Sequence, residues 1–307
     1  MTRVTAAIAD FVAAQRRAYG WTHVDVDAAI DPGGRRIVLR GTVLMRRLRP
    51  RLRAAIDDVL DTGWTLDDDE VQPLAPGPWH AVQHELTSLF AAIVDDDRPA
   101  RLATQLTNDD GPVRTVATHE HWTLVEAIDG TMGWTPQPLG PRTDPPRLSI
   151  TPPDGAAILA AARHHLGAPY LLGGTTLAGI DCSGLAQRAL RQVAGGWIPR
   201  HTTDQLALGP AEGPGEDLAA TLVFVWSNDE APGHVGLADG EGRVVHASRS
   251  RGVVDDPRAR FVRDARRLMH VPWAAVAQLQ ARLSGRASLL DVLELGRPAD
   301  VVSARRV

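Results

Sequence analysis

Lysine is missing from this 307-residue sequence; all 33 of its basic side chains are arginine. A lysine nucleophile or a lysine Schiff base is thereby excluded. Cysteine is nearly missing too. With Cys182 alone, no internal disulfide can form, and cysteine usage does not settle the redox compartment. No apolar run approaches the ~18 residues that a membrane-spanning helix requires, so no membrane insertion is expected. Neither sign of charge is in large excess. A net charge of −4 gives no strong attraction to nucleic acid or anionic lipid. No phosphate-cradling glycine loop and no nucleic-acid motif occurs. The first twenty residues lack a secretory pattern, because Asp10 interrupts the apolar stretch and Arg16 and Arg17 follow it. The expected location is the cytoplasm, with export by a route lacking a cleaved signal as the alternative.

What is present fits folded domains. The chain is 44% hydrophobic and 23% charged, and its length suits two or three domains. Its first twenty residues have the period of an amphipathic helix, with Val4, Ile8, Phe11 and Val12 on one face. Residues 21–44 read as a β-hairpin about Asp31-Pro32-Gly33-Gly34, followed by a helix from Pro50 to Leu60. Residues 1–78 thus form a small α/β module that shows no chemistry and ends in a linker at 72–79. A short helix is expected at 80–94. Strands are expected at Leu102–Leu106, Val113–Thr118, Trp122–Ile128 and Met132–Thr135. Residues 79–140 are therefore read as a helix plus a small antiparallel barrel. The string from Trp122 to Trp134 resembles the last strands of a bacterial SH3-like barrel. Prolines 141, 145, 146, 152 and 153 make 141–153 a stiff linker. The acidic runs at 67–70 and 95–97 read as solvated loops. Residues 284–307 form a tail with a short helix from Leu289 to Leu295.

The chemistry lies in residues 154–283. A helix from Asp154 to Leu166 stops at Gly167-Ala168-Pro169. A second helical period begins at Cys182 and ends at Gly195-Gly196, with Asp181 placed to cap it. A cysteine in the first turn of a helix meets free N–H groups and partial positive charge. Both favour the thiolate, and the same N–H groups suit an oxyanion. Two histidines then bracket a turn. His234 opens the strand His-Val-Gly-Leu-Ala, His246 closes Arg-Val-Val-His, and Asp239-Gly240-Glu241-Gly242 lies between. A three-residue loop would set the two imidazoles directly across the ladder on one face. A two-residue loop would put them on opposite faces, so the loop length decides. Cys182, His234 and His246 then have the order nucleophile, base, orienting partner. The pairs His164-His165 and His119 with His121 are read as structural, and no metal or other cofactor is expected.

These residues resemble the NlpC-type cysteine peptidases of bacterial cell walls. The matching pieces are Tyr170-Leu-Leu-Gly-Gly, Gly179-Ile-Asp-Cys-Ser-Gly-Leu185, Ile198-Pro-Arg200 with Gln205, Gly233-His-Val-Gly236 and Val245-His246. The resemblance implies an α+β, papain-like catalytic domain at 154–283, preceded by the SH3-like unit and the N-terminal α/β module. It implies Cys182 as nucleophile, His234 as general base and His246 as its orienting residue. It makes Tyr170 a substrate or oxyanion contact, and Asp181 and Ser183 holders of the substrate's amino end. A helix cap and a first-turn serine are the plainer roles of the last two. Arg200 and Gln205 are read as structural. The one departure is Ala219-Ala220-Thr221-Leu222, where the family has Gly-Asp-Leu; it should affect a turn and not the chemistry. The implied substrate is a peptidoglycan-derived peptide, cut between D-γ-glutamate and a diamino acid. Relatives with SH3-like domains act on freed muropeptides, so a recycling enzyme is expected. Open alternatives are an exported intact-wall hydrolase, an amidase or acyltransferase on the same fold, and a non-catalytic wall-binding protein.

Overall fold

A computed structural model describes residues 1–19, 21–31, 34–46, 48–94, 98–99, 101–152, 154–209, 211–212, 219–227 and 232–293. The centre of the expected turn at 31–34, the acidic run at 95–97, Pro153 and the end of the expected tail helix lie outside the described residues.

The N-terminal module follows its periodicities. Helix α1 (Thr2–Tyr19) buries Val4, Ala7 and Phe11. Strands β1 (Val24–Ile30) and β2 (Arg36–Val43) pair antiparallel, and α2 (Leu48–Asp57) buries Leu48, Leu52 and Ile56. The acidic run at 67–70 is not a loop. It lies in β3 (Thr65–Pro73), which pairs parallel to β2 across the α2 crossover. Arginines on the neighbouring elements make this tolerable: Asp67 pairs with Arg36, Asp68 with Arg49 and Arg53, and Glu70 with Arg40.

Residues 80–94 form no helix. Alternate burial of Thr87 and Leu89 suits a strand, and the segment holds β4 (Trp79–His80), β5 (Thr87–Phe90) and β6 (Ile93–Val94). Strand β7 (Arg98–Pro99) pairs with β6. The expected strands are present as β8 (Leu102–Leu106), β9 (Val113–His119), β10 (Trp122–Glu126) and β11 (Met132–Thr135), joined by β12 (Arg142–Thr143). They form a seven-stranded antiparallel sheet in the order β12-β4-β9-β10-β11-β5-β8. Among the described residues no ladder joins its edges β12 and β8, so the expected closed barrel is an open sheet. Trp122, Leu124 and Trp134 join the core of the N-terminal module. Trp79 and Ile128 join the core of the third unit.

That third unit is a helix packed on an antiparallel sheet. Helix α3 (Gly155–Arg163) is capped by Asp154. Short strands β13 (Thr175–Thr176) and β14 (Gly179–Ile180) lead into α4 (Cys182–Ala194), and α5 (Thr202–Leu206) follows. The sheet contains β15 (Ala211–Glu212), β16 (Thr221–Trp226), β17 (His234–Ala238), β18 (Arg243–Ser248), β19 (Gly252–Pro257) and, after α6 (Arg258–Phe261), β20 (Arg267–Val271), in the order β15-β20-β16-β17-β18-β19. Helix α7 (Trp273–Leu283) closes the unit. Ala220, where the family has Gly-Asp, has a φ of +65° and is fully buried at the entry to β16. Leu289 is buried, and its N–H bonds the Ile128 carbonyl at 2.8 Å, so the start of the tail is packed against the seven-stranded sheet. Among the described residues no helix is long and apolar enough to cross a membrane.

Candidate active site

Cys182 is the first residue of α4, as its sequence position predicts. Asp181 is the N-cap in extended conformation, and its Oδ1 accepts the Gly184 N–H at 2.7 Å. Gly195 ends the helix in the left-handed region, at φ +63°. Helix α4 packs on β17 and β18, so the cysteine stands over the start of the histidine strand. Hydrogen bonds from the backbone of Val235 and Ser183 and from the Thr202 side chain reach the sulfur. Thr202 carried no signal in the sequence, because its role needs α5 folded back against α4.

The two histidines meet, though not in the register expected. Ala238 pairs with Val244 and Leu237 with Val245, so the turn is five residues long. The ladder is shifted by two residues relative to a three-residue loop. A shift of two preserves the face, whereas a shift of one would invert it. The imidazoles are therefore diagonal neighbours, and His234 Nε2 lies 2.8 Å from His246 Nδ1. The residue between them on that face is Gly236. A Cβ there would lie 2.4 Å from Val244 Cγ1, 3.1 Å from Phe261 Cε2 and 3.2 Å from His246 Cβ. Gly236→Ala is therefore expected to push His246 aside, lowering kcat and costing about 1–3 kcal/mol of stability. Turnover and thermal melting of the variant check this; unchanged kcat would show that the His–His contact tolerates displacement.

His246 has a further partner that sequence reasoning missed. Its Nε2 lies 3.2 Å from Asp256 Oδ2, and both groups are buried. Arg251 donates to both oxygens of Asp256, at 3.0 Å to Oδ1 and in a shorter contact to Oδ2. That guanidinium holds the carboxyl down at about 2, so it is ionised and can only accept. The proton positions follow in order. His246 carries its proton on Nε2 and presents a lone pair at Nδ1. His234 then donates from Nε2, which leaves its Nδ1 as the free base. A histidine pair with a carboxylate anchor thus leaves one defined nitrogen, His234 Nδ1, without a proton, on the residue next to Val235, whose backbone hydrogen-bonds the Cys182 sulfur.

Electrostatics alter the expectation of a resting thiolate. Burial and the Asp181 carboxylate push the Cys182 thiol up, against the helix terminus. Burial, His246 and Arg249 push His234 down to about 3. Both shifts favour the neutral forms, a thiol and an unprotonated imidazole, at rest. In the unfolded chain this imidazole titrates near 6.5. Between the two values the unfolded chain binds the extra proton. Stability is thus full above about pH 6.5 and declines as pH falls toward 3. His234→Asn is expected to flatten that part of a plot of Tm against pH; an equally steep decline would assign the acid lability to other groups.

The remaining candidates divide. Tyr170 is half-buried, bridges to Ile180 and hydrogen-bonds Arg249; burial, then the nearby Cys182 and Asp181, push its phenol up. It borders the cysteine. Asp181 and Ser183 are buried, and their polar atoms are engaged inside the protein. Asp181 receives Gly184 N–H and Arg200 Nη1 on Oδ1, and Gly173 N–H and Arg200 Nη2 on Oδ2. Ser183 Oγ donates to Asp181 Oδ1 at 3.2 Å and accepts from Arg200 at 3.0 Å. Gln205 is buried and donates to the Ser183 and Pro199 carbonyls. The His165 ring donates to the Ala161 carbonyl at 3.1 Å, while His121 lies past the end of β9 against Trp122. Among the described residues no group of histidine, cysteine or carboxylate side chains is arranged to hold a metal. A cavity of about 570 Å³ lies elsewhere, at the junction of the three units. Met45, Met132, Glu126 and His201 line it; Cys182, His234 and His246 do not.

A papain-like helix-on-sheet unit with a buried cysteine and a histidine pair defines a cysteine domain of the NlpC/P60 type. Residues 167–272 match the NlpC/P60 family, and the chain belongs to that family. It is 32% identical over 118 residues to the probable endopeptidase NlpC of Escherichia coli (strain K12), covering 37% of this chain and 75% of that protein. It is 36% identical over 99 residues to the gamma-DL-glutamyl hydrolase of Bacillus subtilis (strain 168), covering 31% of this chain and 24% of that protein. It is 39% identical over 88 residues to the murein DD-endopeptidase MepS/murein LD-carboxypeptidase of E. coli (strain K12), covering 29% and 46%. The chain therefore spans less than half the length of two of these three relatives.

Proposed function

We propose that this protein is a cysteine endopeptidase that hydrolyses peptidoglycan stem peptides at the γ-D-glutamyl–diamino acid bond, acting on freed muropeptides. The observation that carries the reading is the hydrogen-bonded chain from Asp256 through His246 to His234, whose strand neighbour Val235 hydrogen-bonds the Cys182 sulfur. The thiol attacks the amide carbonyl as His234 Nδ1 takes its proton. First-turn N–H groups of α4 not engaged by Asp181 receive the oxyanion. The imidazolium then protonates the leaving amine, and water hydrolyses the thioester. No step needs a cofactor.

The bond follows the B. subtilis relative's name. The E. coli relative named for DD-endopeptidase and LD-carboxypeptidase activity supports a second reading, a D,D or L,D bond. The preference for free peptides rests on access. Cys182 is only 7% exposed, and the seven-stranded sheet abuts the loop before it. Such a site suits a short free chain over a cross-linked mesh, and in this reading the enzyme works in the cytoplasm on freed peptides. In this reading Tyr170 lines the substrate side. Asp181 and Ser183 meet the substrate's amino end only if their internal bonds are exchanged on binding.

Mass spectrometry of products tests the reading. The substrates are L-Ala-γ-D-Glu-diaminopimelate, its N-blocked form, a D,D-cross-linked dimer and intact sacculi. Cleavage of the free peptide alone supports it. Cleavage of sacculi or of the dimer replaces it with wall hydrolysis, and no cleavage at all moves the assignment to acyl transfer or wall binding.

A further inference from the structure

The loop and helix that carry Cys182 are held from outside their own unit. Arg200, 2% exposed, has five N–H donors, and each finds an acceptor. Nη1 donates to Asp181 Oδ1 at 2.8 Å and to Ser183 Oγ at 3.0 Å. Nη2 donates to Asp181 Oδ2 at 2.8 Å and to the Gly174 carbonyl at 3.1 Å. The fifth, Nε, donates to Thr104 Oγ1 at 2.9 Å. Thr104 is 1% exposed and belongs to β8, the edge strand of the seven-stranded sheet.

We propose that Thr104 is a positioning residue of the catalytic site, which through Arg200 sets Asp181 and so the N-terminus of α4 that presents Cys182. The inference rests on Cys182 being the nucleophile. A guanidinium is a rigid planar fork, so anchoring Nε fixes the plane in which its two terminal nitrogens meet Asp181. Asp181 in turn holds the N–H groups of Gly173 and Gly184, on either side of the cysteine. The surroundings show that β8 is built to meet this loop. Thr175 Oγ1 donates to the Gln105 carbonyl at 2.9 Å. A Cβ on Gly173 would come within 2.6 Å of the Leu102 carbonyl oxygen, so only glycine lets that strand approach. Removing the Thr104 oxygen leaves a buried N–H of a charged group unpaired. Tilting of the fork relieves it and carries Asp181 along.

The competing role is simple docking of two units, which other contacts also serve. Arg188 grips Asp110 with two bonds of 2.9 Å in the same interface but does not touch Arg200. Three variants of the full chain separate the roles: T104V, which keeps shape and loses the acceptor; T104S, which keeps the acceptor; and D110N, which weakens the contact to Arg188 of α4 and the Thr107 turn while leaving Thr104 and Arg200 in place. The readouts are the iodoacetamide alkylation rate of Cys182, which needs no peptide substrate, kcat and KM on the free tripeptide, and Tm. T104V is expected to lower the alkylation rate and kcat by about 10- to 100-fold with KM little changed. T104S is expected to restore both rates. D110N should lower Tm while leaving both rates within about threefold of wild type. A wild-type alkylation rate in T104V overturns the proposal, and so does a D110N loss as large as that of T104V. If T104V does not fold, T104A is read by the same criteria. Absent peptide turnover in the wild type, with alkylation responding as expected, would remove the substrate assignment and leave the positioning role.

Discussion

Cys182→Ala is expected to eliminate peptide turnover, by a factor on the order of 10⁵–10⁶, while the folded state survives. The loss follows because no other group within the relay can form the acyl intermediate. The chain has one cysteine and no lysine. The fold survives because the buried thiol is replaced by a slightly smaller apolar group, at a cost of about 1 kcal/mol. That cost is a shift of a few degrees in Tm, which calorimetry resolves. The same residue gives a pH signature. Since burial and Asp181 raise the thiol and His234 is already neutral above about pH 3, alkylation by iodoacetamide should climb with pH through neutrality. A rate already at its plateau in mild acid would show a preformed thiolate instead. Residual turnover above about 1% in the alanine variant would end the nucleophile assignment.

Asp256→Asn is expected to lower kcat by about 10²- to 10⁴-fold with a much smaller effect on KM. The reasoning concerns direction and not charge alone. Arg251 donates to both carboxylate oxygens, and Oδ2 also faces His246 Nε2, so an amide must turn its NH2 toward one of these donors and loses the negative charge. With the NH2 at the Oδ1 position an Arg251 contact is broken and a neutral oxygen holds His246 more weakly. With the NH2 at the Oδ2 position it donates to His246 Nε2, and His246 must move its proton to Nδ1, where it opposes the proton on His234 Nε2 across 2.8 Å. The conflict is relieved when His234 shifts its proton to Nδ1, which removes the base from the thiol. Asp256→Glu, which cannot donate when ionised, should recover part of the rate. A kcat within about twofold of wild type in the asparagine variant would mean that His246 is oriented without Asp256.

Much of this site is readable along the chain because it is local. The Asp181 cap, Cys182 in the first turn of α4 and the glycine stop at 195 all lie within one helix, where capping chemistry and period act over a few residues. The paired faces of His234 and His246 depend only on the parity of a single hairpin. The α1 stripe and the β1–β2 hairpin were fixed by the same short-range rules. Expectations that concerned partners far along the chain fared otherwise. The acidic run at 67–70 reads as a loop along the chain because the arginines that neutralise it stand on β2 and α2. The segment 80–94 reads as a helix along the chain because its strand pairing with β8 and β9 is non-local.

The sequence by itself determined the family, the helix that begins at Cys182 and the pairing of His234 with His246, since each is carried by a short contiguous string. Only the tertiary structure decided which of two adjacent aspartates serves the relay. Asp255 and Asp256 are alike in sequence, but in β19 they point to opposite faces. The β18–β19 register sends Asp255 to Arg163 and Arg243, and Asp256 to His246. The resting protonation of Cys182 was also decided there. A helix terminus lowers a thiol only where water and charge allow it, and here burial under the packed sheet and the Asp181 carboxylate act the other way.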